Sequence, residues 1–210
     1  MKIMGNRPGK DRTPGGGKEY YETCPDFYQL CEYEFRCKLD AAAEKHNSKC
    51  KAFLDKNFDA VRPDVDWSKL ATSIWLNPPY SRGMVPLFLQ KSYEASQRGS
   101  TVVCLVHTCT DVKYWNEWVW DKAAEVRHIH GRLKFWLPHP DKNGNYGTVS
   151  DLPHSIIVYR PYYLGRTYQS IWKWKEDYVQ RFGKFPMRDL KSPDKNIKYY
   201  LNADGLREAA

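Results

Sequence analysis

The sequence predicts an α/β fold: a mostly parallel sheet with helices on both faces and an antiparallel strand at its edge. Two observations point there. Apolar runs suited to strands buried on both faces, Ile74-Trp75-Leu76 and Thr101-Val-Val-Cys-Leu-Val106, are separated by a helical pattern at Met84, Leu87, Phe88, Lys91 and Ala95. Later strands then follow one another closely, at Glu125–His130, Arg132–Leu137 and Ser155–Tyr159, without room for crossover helices.

Composition bounds the possibilities. At 210 residues, with 41% hydrophobic and 15% aromatic content, the chain has enough material for one α/β domain with a full core. No apolar run is long enough to span a bilayer, so no membrane role is expected. The opening residues lack the apolar stretch of a secretory signal, which predicts a cytoplasmic protein with reduced cysteines. The six cysteines (24, 31, 37, 50, 104 and 109) form no Cys-x-x-Cys pair. Even with His46 nearby, their spacing is poor for zinc, and no metal is expected. They read as small apolar core groups. The net charge of +8 sits at the two ends: five Lys/Arg against one Asp in residues 1–18, and ten against six acids in residues 161–210. Basic extensions suit a polyanionic partner.

In chain order, residues 1–18 read as a flexible basic arm, rich in Gly and Pro. Thr23 or Asp26 is a candidate cap for a helix carrying Phe27, Leu30, Cys31 and Phe35, with Pro25 in its first turn. A short strand at Arg36–Leu39 then meets Asp40 and the small residues Ala41, Ala42 and Ala43, where a ligand can approach the backbone. A helix starting near Ala43 would turn its positive end toward that ligand. An acid-studded loop follows, holding Asp55, Asp59, Asp64 and Asp66. Gly99 ends the helix that begins at Met84, and Asp111 is a candidate cap for another from Lys113 to Ala123. Residues 138–151 read as a polar loop. After Pro161, Ile171, Trp174, Tyr178 and Phe182 mark a helix that Gly183 and Pro186 break, and shorter helices are expected near 188–190 and 199–201. This basic, aromatic tail reads either as a small nucleic-acid-binding module or as a helical lid.

The stretch Ser73-Ile-Trp-Leu-Asn-Pro-Pro-Tyr-Ser81 carries the chemistry. Pro78 and Pro79 remove two backbone donors, so a buried strand stops abruptly. A stiff loop remains at its carboxyl end, where open α/β sheets bind ligands. The Asn77 amide oxygen and the Pro78 carbonyl form a pair of acceptors suited to the two N–H groups of a nucleobase amine. Holding both favours a pyramidal nitrogen that can receive a methyl group. Tyr80 offers a face on which a base extruded from the duplex can stack. The competing reading is a turn without chemistry.

These residues resemble the phage-type, Dam-like DNA N6-adenine methyltransferases over about Glu22 to Pro161. The resemblance rests on Asn-Pro-Pro-Tyr at 77–80, Leu-Asp-Ala-Ala-Ala at 39–43 with Asn47, Gly-Arg-Leu-Lys-Phe at 131–135, and Pro-His-Ser-Ile-Ile-Val-Tyr-Arg-Pro at 153–161. It implies a Rossmann-like, S-adenosylmethionine-dependent methyltransferase with a seven-stranded sheet and its catalytic domain at 19–160, and does not cover the basic, aromatic helical tail at 161–210. It implies a donor pocket formed by Thr23, Pro25, Asp40, Ala41, Ala42, Asn47 and Asp59. Catalysis would fall to Asn77, Pro78, Pro79 and Tyr80, and contacts to double-stranded DNA to Arg82, Arg132 and Lys134. A monomer in the cytoplasm of a bacterial host, encoded by a phage or prophage, is the expected setting. The chain departs from the family's Thr-Pro by interposing Cys24. Cytosine N4 or RNA amino-methylation, and a non-catalytic DNA-binding protein on the same scaffold, are the alternatives at this stage.

Overall fold

The computed structural model describes residues 22–136, 140 and 143–185. The basic arm, part of the polar loop and the short helices expected near 188–190 and 199–201 lie outside the described residues. Strand β1 (Glu22–Thr23) leads into helix α1 (Pro25–Phe35), which Pro25 opens as expected. Neither Thr23 nor Asp26 caps it; Cys24 is the N-cap, and its thiol donates to Asp26 Oδ2 at 3.6 Å in place of a capping bond to the backbone. Arg36 ends the helix in the left-handed conformation, φ 50°. The expected strand therefore shrinks to β2 (Leu39–Asp40). Next come β3 (Ala52–Phe53), a 3₁₀ turn at Trp67–Lys69, β4 (Ser73–Leu76), α2 (Met84–Gln97) and β5 (Thr101–His107). Helix α3 (Lys113–Trp118) is shorter than its pattern implied, and its N-cap is Val112, not Asp111. Strands β6 (Glu125–Ile129), β7 (Lys134–Trp136), β8 (Gly147–Val149), β9 (His154–Tyr159) and β10 (Tyr168–Trp172) precede α4 (Trp174–Phe182).

Seven strands form one sheet in the order β10-β6-β9-β5-β4-β2-β3. Strand β9 runs antiparallel to both its neighbours, β5 and β6, and every other adjacent pair is parallel. The antiparallel strand expected at the edge is thus interior. It is paired along both edges, with Val102–His107 of β5 on one and Glu125–His128 of β6 on the other, and all six of its residues are buried. The edge belongs instead to β10, inside the segment expected to be helical. There Ile171 is 72% exposed on a strand and contributes nothing to the apolar face of α4.

Period-two alternation sorts the sheet's side chains into two cores. Ile74, Leu76, Val102, Cys104 and Val106 pack on Val85, Phe88 and Leu89 of α2 and on Trp115 of α3. Trp75, Val103, Leu105, Ile156 and Val158 point the other way, toward Phe27, Leu30 and Cys31 of α1 and Trp174 and Tyr178 of α4. The tail segment is fastened there: Phe27 meets the Trp172 and Trp174 rings at 5.3 Å, and Tyr178 donates to Gln29 at 2.8 Å. Cysteines 24, 31, 37 and 50 pack in this second core and Cys104 in the first, all as free thiols, while Cys109 is half-buried.

A second, antiparallel sheet joins β1, β7 and β8, setting Thr23 opposite Phe135 and Phe135 opposite Thr148. Among the described residues no helix is long and apolar enough to cross a membrane. Because Ile157 is fully buried in β9 with strands on both sides, Ile157→Ala should cost about 2–5 kcal/mol. A loss below about 1 kcal/mol in urea unfolding would contradict its interior place.

Candidate active site

Beyond the carboxyl ends of β2, β4 and β5 lies a cleft of about 520 Å³, walled on one side by the small sheet. Thr23, Asp40, Ala41, Ala42, Asn47 and Asp59 line it, as do Asn77, Pro78, Pro79 and Tyr80. Pro25 does not, because its place is the first position of α1. Arg82, Arg132 and Lys134 are exposed and lie outside the lining: Arg82 just past the Asn77–Tyr80 loop, the other two at β7.

Strand β4 is hydrogen-bonded to β2 on one side and β5 on the other, and all four of its residues are buried. That fixes the starting point of the loop. The Asn77 Oδ1 is buried and has no hydrogen-bond partner among the described residues. A buried acceptor left unsatisfied costs about 1–3 kcal/mol, so the fold carries a standing penalty on a residue that lines a ligand-sized cleft. The alternation that turns Trp75 toward α1 brings Asn77 to the same side.

A row of rings crosses the cleft, starting at Tyr80, which lies against the first core. Tyr80 stacks on His107 with centroids 4.0 Å apart and planes at 23°. His107 pairs with His154 across β5 and β9, their rings 4.6 Å apart, and His154 meets Phe135 of the small sheet at 5.0 Å. Tyr80 also donates a long bond, 3.4 Å, to the Leu105 carbonyl. His154 is 2% exposed, and its Nδ1 has no partner among the described residues. Burial, then the neighbouring His107, pushes its pKa down to about 3.

One end of the cleft is built on Asp40. Its Oδ2 accepts from the Lys49 backbone N–H at 2.9 Å and its Oδ1 from that of Ala42 at 3.3 Å. Burial nonetheless pushes the Asp40 pKa up to about 6. Asn47 Oδ1 accepts from the Glu44 N–H at 2.8 Å. These bonds close turns where a helix from Ala43 was expected, so side chains, not a helix end, organise the backbone here. Although the chain carries a net +8, the cleft is acidic: Glu22, Asp40, Glu44, Asp55, Asp59 and Asp151 line it against Lys49 and Lys56. Lys49 is itself buried, which pulls its pKa down to about 8. A cleft of this charge takes a cationic ligand more readily than a polyanion. Among the described residues no cluster of three or more His, Cys, Asp or Glu is placed to hold a metal ion.

Lys49, His107, Phe135 and His154 line the cleft without having been singled out as site residues from the sequence. One signal was available: His107 directly follows the apolar run Val102–Val106, as Asn77 follows the apolar run Ile74–Leu76.

The fold places a ligand-sized cleft beyond the carboxyl ends of its strands, where open α/β sheets bind ligands. Over residues 10–184 the chain matches the DNA N-6-adenine-methyltransferase (Dam) family, and it belongs to that family. It is similar to the DNA N-6-adenine-methyltransferase of Escherichia phage T1, at 26% identity over 63% of this chain and 53% of that protein. It is also similar to the DNA N-6-adenine-methyltransferase of Haemophilus phage HP1, at 24% identity over 72% of this chain and 84% of that protein. The match therefore spans about half the length of the T1 relative.

His154 gives the site a pH signature. Folding keeps it neutral, whereas the unfolded chain takes up a proton below about pH 6.5, so acid favours unfolding. The stability it contributes is complete above pH 6.5 and is lost toward pH 3 at about 1.4 kcal/mol per unit. Asp40, with its raised pKa, acts in the opposite sense, its contribution disappearing as pH rises through about 6. The comparison of wild type with His154→Phe isolates the histidine. The variant should lose less stability than wild type between pH 6.5 and 4 in urea titrations, and parallel profiles would exclude a neutral buried His154.

Proposed function

We propose that this protein methylates the N6 amino group of adenine in double-stranded DNA with S-adenosylmethionine as donor, on a Rossmann-like methyltransferase fold. The observation that carries the proposal is the buried, unpartnered Asn77 Oδ1 at the end of β4, in a chain of the Dam family. The donor fits the residues present. It is a cation with ribose hydroxyls and an ammonium group, and the cleft is lined with carboxylates and has a ligand-sized volume. Thr23, Asp40, Ala41, Ala42, Asn47 and Asp59 would hold it; Pro25 would act only by starting α1. When bound, it supplies an electrophilic methyl group on a sulfonium centre.

The chain's own residues do the rest. Asn77 Oδ1 and the Pro78 carbonyl accept the two N–H bonds of the amine, drawing the nitrogen toward a pyramidal shape that frees its lone pair. Pro79 stiffens the loop so that both acceptors are set before the base arrives. Tyr80 stacks on the extruded adenine with the face turned away from His107. Arg82, Arg132 and Lys134 stand outside the acidic cleft and meet phosphates, which keeps the polyanion at the rim while one neutral base enters. The catalytic domain takes in β10 and α4 as well as the residues up to 160. The two relatives are phage proteins, and the same setting, a bacterial host cell, is proposed here.

Incubation with labelled donor and unmodified DNA, followed by nucleoside mass analysis, should yield N6-methyladenine; its absence overturns the proposal. Asn77→Ala should lower turnover about 10²- to 10³-fold with donor affinity little changed. Equal losses of turnover and donor binding would move Asn77 from catalysis to cofactor binding. For the rim, removing Arg132 and Lys134 together should reduce the slope of log affinity against log salt by about 2. An unchanged slope would remove both from the DNA contact.

A further inference from the structure

We infer that His107 is a positioning residue for the methyl-acceptor base: it sets the plane of Tyr80 before the base arrives, so that base, Tyr80 and His107 form one continuous stack. This rests on the functional reading above, and it assigns a role to a residue that does not itself touch the substrate.

From outside its own loop, the Tyr80 hydroxyl is held by the Leu105 carbonyl and the His107 backbone, and the ring lies against the first core and against the His107 ring. The hydroxyl bond to Leu105 is 3.4 Å long, beyond the usual O–H···O range of about 2.5–3.0 Å, and constrains the ring weakly. The contact with His107 is close and nearly coplanar, at 4.0 Å and 23°, and covers a full ring face. Bonds at the hydroxyl lie on the ring's long axis and leave rotation about it free, so the plane of Tyr80 depends on what its faces meet, His107 on one of them.

His107 is well placed to impose that plane. It is the last residue of β5, a strand paired on both sides, and its register partner is His154 of β9. His154 is in turn wedged between His107 and Phe135, with centroids at 4.6 and 5.0 Å. The row thus runs from the Asn-Pro-Pro-Tyr loop through the main sheet to β7 of the small sheet. A Tyr80 ring fixed in advance spares the ordering of a side chain at the moment the base enters, and so acts on turnover more than on DNA binding.

The test uses the full-length protein and a duplex carrying its mapped site. His107→Ala should lower kcat about 3- to 10-fold while KM for DNA stays within twofold, and His107→Phe, which keeps a ring, should restore most of the loss. A second readout follows the stack directly: 2-aminopurine at the target position should be quenched on binding wild type and His107→Phe, and less so on His107→Ala. Wild-type kcat and quenching in His107→Ala would overturn the inference while leaving adenine methylation standing. So would a His107→Phe variant as impaired as His107→Ala, since the imidazole nitrogens and not the ring face would then matter. If wild type makes no N6-methyladenine, the functional reading falls and the inference with it.

Discussion

Strand β4 governs the site because it has no freedom. It is bonded to β2 and β5 along its edges and buried on both faces, with Ile74 and Leu76 in one core and Trp75 in the other. A one-residue slip would exchange the two faces and drive Trp75 into the space filled by Ile74 and Leu76. The register is therefore fixed, and with it the point at which Pro78 and Pro79 release the chain. Asn77 is the first side chain after that point. Its amide is positioned by the packing of residues on either side of the sheet and not by bonds of its own, which is why its oxygen can stay unpaired.

The electrostatics divide along the same line. Acids gather inside the cleft and the exposed Arg82, Arg132 and Lys134 stand outside it. A cation and a polyanion can then be served by one small site without competing for the same surface. Burial raises the pKa of Asp40 and lowers those of Lys49 and His154, the sign expected when each group is drawn toward its neutral form.

Much of this was legible in the sequence. Runs such as Thr101–Val106 and Ser73–Leu76 announced buried strands because continuous apolar character has few other uses at that length, and Pro-Pro marked where one must end. Asp40 and Asn77 stood out as candidates because strand ends are few, and both line the cleft. What escaped depends on long-range pairing. The apolar Ser155–Tyr159 run suits an interior strand as well as an edge one, and only its insertion between β5 and β6 decides. Ile171 was assigned to a helix because four residues at roughly helical spacing included it by coincidence. The ring row from Tyr80 to Phe135 joins residues from three strands and a loop, and no local pattern encodes it.

The cysteines turn out to be unevenly guarded. Five are sealed in the two cores, where burial raises their thiol pKa values or leaves them no path to solvent, and Cys109 alone is half-exposed. It sits two residues past His107, close to Tyr80. A thiol reagent applied to the folded chain thus meets a single accessible sulfur beside the ring row. A dye attached there would watch the Asn77–Tyr80 loop, and the slow loss of the other five thiols would time the opening of the cores.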